Sequence, residues 1–192
     1  MLIRFFDITL ALLGLIILLP LFLVLLTIVS LDSRSPIFGQ LRLGRNRELF
    51  RIYKFRSMLI ETPDQPTHLV PETQITQVGK WLRYTKLDEL PQIWNVLVGD
   101  MSLVGPRPGL PSHCDLISAR EKLNVFRVRP GITGLSQLLG VDMSDPARLA
   151  GFDAKMITKL NVLSYFGYIA VTLATVFRIR RFRNYLLNKI NF

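Results

Sequence analysis

One cysteine, Cys114, and two histidines, His68 and His113, are all the thiol and imidazole chemistry in this chain. That excludes an intramolecular disulfide, and it leaves too few ligands for a Cys/His zinc site. A single thiol fits a reducing compartment and reads as an ordinary small side chain. Acidic residues are also sparse: 14 Asp and Glu stand against 24 Lys and Arg, a formal net charge of +10. At 192 residues the chain is short for two ordinary domains and reads as one compact domain with an appendage. What it has in quantity is apolar surface, with 49% hydrophobic residues and a mean hydropathy of +0.33. Apolar and basic together point toward anionic lipid, although a positive balance alone would equally suit nucleic acid.

The apolar residues concentrate in Ile8 to Val29, a run of membrane-spanning length. It is too long for a signal-peptide core, and no small-x-small cleavage site follows it. Pro20 sits in its middle, where proline removes a helical hydrogen bond and predicts a kink near Ile16 to Pro20. Arg4 lies before the run and Arg34, Arg42, Arg45 and Arg47 lie after it, so the positive-inside rule draws both ends to one face. A helix that enters, bends and returns satisfies that pull. On the residues alone it stands level with a kinked span.

Ser33 to Gly44 reads as a polar connector. Leu49 to Met58 alternates as a strand, with Phe50 and Ile52 on one face and Arg51, Tyr53 and Phe55 on the other. Its interleaved basic and aromatic residues suit stacked bases or a lipid headgroup boundary, or simply a solvated edge strand. Glu61 to Glu72, with Pro63, Pro66 and Pro71, reads as a loop in which His68 has no evident ligand partner. Gln77 to Tyr84 reads as a short helix with Val78, Trp81 and Leu82 at helical spacing.

The stretch Thr85 to Pro108 carries the chemistry. Two consecutive carboxylates, Asp88 and Glu89, follow the cations Lys80, Arg83 and Lys86. Thr85 suits a helix cap, and an acidic residue in a first turn is commonplace, which accounts for Asp88 without any function. It accounts less well for Glu89 and for Pro91. Consecutive carboxylates at a helix start diverge by about 100°, so one can attack phosphorus while the other holds a divalent cation. Ile93, Trp94, Leu97 and Val98 form an apolar face expected to pack inward, and Gly99 is a natural stop. In Gly105-Pro106-Arg107-Pro108 the prolines fix the backbone on either side of one guanidinium, which favours a ligand contact.

The block GKWLRYTKLDELPQIWNVLVGDMSLVGPRP, with KFRSM before it and RPGITG at Arg129 to Gly134 after it, resembles the bacterial sugar transferases, the monotopic phosphoglycosyl transferases. The resemblance runs with gaps from Arg4 to Gln137. It implies a mostly helical α+β fold: a proline-kinked, re-entrant membrane helix in residues 1–32 and a catalytic domain with interfacial amphipathic helices in residues 33–192. It implies that a UDP-sugar donates its sugar phosphate to an aspartate, matched here by Asp88, with release of UMP. Polyprenyl phosphate then accepts the sugar phosphate. Glu89 matches the Mg2+-binding carboxylate of the dyad. Arg83, Arg107, Lys54 and Arg129 match the phosphate- and nucleotide-binding positions, and Pro20 the membrane kink.

The donor sugar expected by analogy is an N-acetylated amino or deoxyamino sugar. The expected partners are the two substrates and anionic lipid, not nucleic acid. The expected place is the bacterial inner membrane, with the catalytic domain on its cytoplasmic face. The chain departs from the family pattern where Leu19 replaces the serine before Pro20. It departs again at Leu135-Ser136-Gln137 and Gly140-Val141-Asp142, and in the uncharged run Tyr165 to Phe177. That run is too short to span a membrane independently and reads as a buried or interfacial helix. The following Arg178, Arg180, Arg181 and Arg183, interleaved with aromatic residues, suit anionic lipid or a solvated tail. The readings that compete with an enzyme are a membrane-anchored basic binding module and a noncatalytic assembly partner.

Overall fold

A computed structural model of the chain describes residues 2–62, 71–176 and 179. Pro63, Pro66 and His68 of the proline-rich loop, and the basic residues Arg178, Arg180, Arg181 and Arg183, lie outside the described residues. The rest is a mostly helical α+β fold, as expected.

Helix α1 (Leu2–Asp32) runs unbroken with Pro20 inside it and is apolar enough to cross a membrane. At 1.5 Å per residue its 31 residues extend about 46 Å. Its buried residues, Asp7, Ala11, Leu25 and Val29, fall on one helical stripe near the two ends. Ala11 packs with Phe50, Ile52, Val96 and Met101, while Leu25 and Val29 pack with Phe55 and Leu82. Between them Ile16, Ile17 and Leu19 are exposed. Both ends of the helix therefore rest on the same domain.

Two charged residues tie down its amino-terminal end. The Arg4 guanidinium donates to Val96 O at 2.6 Å and Leu97 O at 2.9 Å. Asp7 is buried, and its Oδ1 accepts from Ser102 Oγ at 2.9 Å, Leu103 N at 2.9 Å and Tyr165 Oη at 2.8 Å.

The stretch read as a polar connector holds a strand. β1 (Ile37–Leu43) pairs antiparallel with β2 (Leu49–Phe55), from Ile37 opposite Phe55 to Leu43 opposite Leu49. Phe50 and Ile52 are buried together, as the alternation requires. Phe55, on the other face, is buried as well, because the second half of α1 covers it. The hairpin turn holds Asn46 (φ 54°) and Arg47 (φ 65°) in the left-handed region.

Helix α2 (Gln77–Thr85) takes its cap from Thr76, whose Oγ1 accepts from Gly79 N at 2.9 Å. Thr85 is not a cap. It is the last residue of α2, and its hydroxyl bonds back to Trp81 O and Leu82 O. Lys86, left-handed at φ 62°, stops α2 and turns the chain into a 3₁₀ turn, Leu87–Glu89. Pro91 then precedes α3 (Gln92–Val98), where its missing N–H is no loss.

The inward face of α3 is Gln92, Asn95 and Val96. Trp94 and Val98, expected inside, are exposed. Asn95 sets this rotation by bonding the edge of β2: its Oδ1 accepts from Tyr53 N at 3.1 Å and its Nδ2 donates to Arg51 O at 2.8 Å. Gly99, at φ 103°, ends the helix as expected.

A second sheet, two parallel strands, pairs β3 (Ser102–Val104) with β4 (Gly131–Thr133). Behind it stand α4 (Cys114–Lys122), α5 (Leu135–Leu139), α6 (Pro146–Lys159) and α7 (Val162–Val176). Val104, Leu135, Met156, Tyr165 and Tyr168 form a core shared by β3, α5, α6 and α7. A buried ion pair, Arg120 to Asp153 at 2.6 Å, joins α4 to α6, and Ser136 Oγ donates to the same carboxylate at 2.7 Å. Helix α7 buries Tyr165, Tyr168, Val171 and Ala174 and exposes Leu163, Phe166, Leu173 and Val176. The helix is therefore buried along one face and leaves an apolar face exposed.

Candidate active site

The 3₁₀ turn Leu87–Glu89 presents Asp88 and Glu89 between α2, β2 and the loop after β3. Lys54 points from β2 into this space and places its Nζ 3.0 Å from Glu89 Oε1. Arg107 reaches the same oxygen from the other side at 3.1 Å.

The loop that carries Arg107 is held by backbone just before it. Gly105 N donates to Thr133 O at 2.8 Å, and Gly131 N donates to Pro106 O at 2.9 Å. A Cβ on Gly131 would lie 2.0 Å from Gly105 N, so the two chains can approach this closely only without a side chain there. Arg42 supports the loop further by donating to Pro108 O at 3.3 Å.

Asp88 is buried beside Glu89, and its Oδ1 has no hydrogen-bond partner among the described residues. Burial pushes its carboxyl above the usual range, Lys54 draws it back, and Glu89 pushes it further up. For Glu89 burial also acts upward, but Lys54 and then Arg107 outweigh it and hold the carboxyl down at about 2. The Lys54 amine is lowered by burial, with Glu89 opposing. Arg83 donates from Nε to Ser57 Oγ at 2.8 Å; burial lowers its guanidinium and Asp88 opposes that shift.

Five of the residues singled out in the sequence therefore converge: Asp88, Glu89, Lys54, Arg83 and Arg107. Arg129 does not join them. Its Nε donates to Gly99 O at 2.7 Å, behind the carboxyl end of α3, while the dyad precedes the amino end. The basic strand is no open stacking face either: Lys54 turns to Glu89, and Arg56 lies over Phe38 and bonds Ser35 O at 2.7 Å.

Sequence reasoning missed Arg42 and Gln92, which line a cavity with Lys54, Glu89, Arg107 and Gly131. The cavity holds about 10 Å³, room for one water. Periodicity offered no signal for Gln92, a polar residue on the inward face of a short helix.

The dyad suits a divalent cation of magnesium type. Such an ion takes one or two carboxylates and fills its remaining positions with water and substrate phosphate. Asp88 leaves a buried oxygen unmatched next to a second carboxylate. Among the described residues no group of three or more His, Cys, Asp or Glu side chains could hold a metal unaided.

A model of the bacterial sugar transferase family matches residues 1–179. The galactosyl transferase CpsE of Streptococcus agalactiae serotype III (strain NEM316) is 36% identical over 187 residues, covering 90% of this chain and 41% of that protein. A UDP-glucose:undecaprenyl-phosphate glucose-1-phosphate transferase of Klebsiella pneumoniae is 43% identical over 142 residues, covering 71% of this chain and 30% of that protein. The exopolysaccharide production protein ExoY of Sinorhizobium fredii (strain NBRC 101917 / NGR234) is 33% identical over 192 residues, 90% of this chain and 84% of that protein. The chain thus spans well under two thirds of the first two relatives and most of the third. With the dyad, its cations and the clamped arginine in place, the chain belongs to the bacterial sugar transferase family.

Proposed function

We propose that the protein transfers a sugar 1-phosphate from a UDP-sugar to polyprenyl phosphate in two displacements on Asp88. In the first, an Asp88 carboxylate oxygen bonds the sugar-bearing phosphorus. The bridging P–O bond breaks, and UMP departs with its electron pair. In the second, a phosphate oxygen of the lipid attacks the same phosphorus and the Asp88 carboxylate leaves. One observation carries this reading: a buried carboxylate with an unmatched oxygen stands among Lys54, Lys86 and Arg83, cations suited to substrate phosphate.

Glu89 would hold the Mg2+, which when bound neutralises charge on the phosphates. Lys54 and Arg107 keep Glu89 ionised and would share their charge with substrate phosphate bound beside it. Arg83 lies on the α2 side of Asp88. Arg129 serves this site by supporting Gly99 and the end of α3, rather than by touching nucleotide.

The exposed middle of α1, with both its ends on one domain, supports a re-entrant helix over a straight span. It would sink the domain into one leaflet, on the cytoplasmic face of the bacterial inner membrane, where a soluble donor and a lipid acceptor can meet. Two of the similar proteins are named for galactose and glucose, so UDP-galactose and UDP-glucose come first as donors. The N-acetylated amino sugars follow.

The test is a panel of UDP-sugars with detergent-solubilised protein, read as Mg2+-dependent UMP release and as the mass of a sugar phosphate on the Asp88 peptide. Asp88→Asn is expected to abolish both while leaving the thermal midpoint in place. Full turnover by Asp88→Asn would refute the assignment.

A further inference from the structure

Gln92 is 2% exposed, and its Nε2 has no hydrogen-bond partner among the described residues. A buried amide left unpaired is costly to a fold, so native proteins seldom keep one without a use. The same helix shows the alternative: Asn95, one turn on, is also buried, and its amide is paired to Tyr53 N, Arg51 O and Asp100 Oδ2.

Gln92 lines the cavity that Lys54, Glu89 and Arg107 share. One turn before it is Asp88, whose Oδ1 is likewise buried and unmatched. A leftover donor and a leftover acceptor thus stand four residues apart without satisfying each other. A single group would complete both if it offered an electrophilic atom to the carboxylate and an oxygen to the amide.

A phosphoryl group has that form. We infer that Gln92 is a substrate-contacting residue whose Nε2 donates to a non-bridging oxygen of the phosphoryl group passed to Asp88, an inference that rests on the transfer reaction proposed above. During the step the Asp88 Oδ–P bond forms, the bridging P–O bond breaks toward the departing nucleoside monophosphate, and Gln92 exchanges no proton. The neutral amide adds a fixed dipole where charge gathers on the equatorial oxygens. It does so without giving up an ion pair, whereas Lys54 and Arg107 are both engaged with Glu89 Oε1.

Gln92→Met keeps the length of the side chain and removes the amide. Single-turnover UMP release is expected to fall about 100-fold, the scale of one lost transition-state donor. The thermal midpoint should hold or rise, because the unpaired amide is gone. A release rate within twofold of the parent would overturn the proposal. So would a rate and a midpoint that fall together, the mark of a residue needed only for the fold.

A second arm separates this idea from the reaction it rests on. If the parent releases no UMP from any UDP-sugar, the transfer reading fails by itself. The contact is then read from stabilisation of the parent and of Gln92→Met by inorganic pyrophosphate. A tenfold weaker response in the variant supports the contact, and an equal response rejects it.

Discussion

Asp7→Ala tests whether the apolar helix is part of the catalytic domain or only its tether. One carboxylate oxygen, in a residue 2% exposed, accepts from a serine hydroxyl, a backbone N–H and a tyrosine hydroxyl. Removing it strands three donors, two of them on the buried residues Ser102 and Tyr165. An orphaned buried donor costs about 1–3 kcal/mol, and the two hydroxyls can rotate to recover part of that, so Asp7→Ala should cost about 3–5 kcal/mol. Against a total stability of about 5–15 kcal/mol that is a large fraction. Asp7→Asn keeps an acceptor oxygen and loses only its charge, so about 2 kcal/mol is expected.

The assay is denaturant unfolding of detergent-solubilised protein, followed by tryptophan fluorescence and repeated with Tyr165→Phe and the double variant. Coupling between Asp7→Asn and Tyr165→Phe should reach about 1 kcal/mol. β3 leads directly to the Arg107 loop, so UMP release should fall along with stability. An Asp7→Ala protein within about 1 kcal/mol of the parent would refute the reasoning and leave α1 a plain tether.

The Glu89 carboxyl sits at about 2 rather than 4.5. Its stabilising effect should therefore be complete above pH 4.5 and fade as pH falls toward 2, measured in EDTA as the denaturation midpoint. In Lys54→Met the carboxyl rises toward 4.5, so the loss is smaller and is complete at a higher pH; identical acid limbs would contradict the pairing. Gly131→Ala should cost more than about 3 kcal/mol, since its Cβ meets Gly105 N at 2.0 Å. Gly151→Ala, in α6 with nothing within 4 Å, should instead gain about 0.5–1 kcal/mol in the same unfolding assay. Arg47→Gly relieves a left-handed φ of 65° and gives up only an exposed pair with Glu121, so a gain of about 0.5–1 kcal/mol is expected from its thermal midpoint.

What the sequence showed and what it hid divide along a physical line. The dyad, Pro-Arg-Pro and the Gly99 stop were legible because each is a local statement: a charge pair, a fixed φ, a helix end. Lys54 and Arg107 could be named, but not their convergence on one oxygen of Glu89, which depends on a hairpin whose first strand was read as a connector. Trp94 and Val98 were turned the wrong way because apolar spacing assigns a face only where burial follows hydrophobicity. Here Asn95, fully buried, sets the rotation by serving the edge of β2. The same misreading hid Asp7 and Gln92.

A carboxylate near the start of an apolar run looks like a flank, and a glutamine after a proline looks like a surface residue. In the fold the first holds β3 and α7 to the apolar helix α1, and the second faces the cavity with its amide unspent. The end of α3 bears Arg4 and Arg129 on its carbonyls, and the turn before its start bears Asp88 and Glu89. The apolar helix α1 thus also fixes, through seven residues of α3, the position at which the proposed attack on phosphorus would take place.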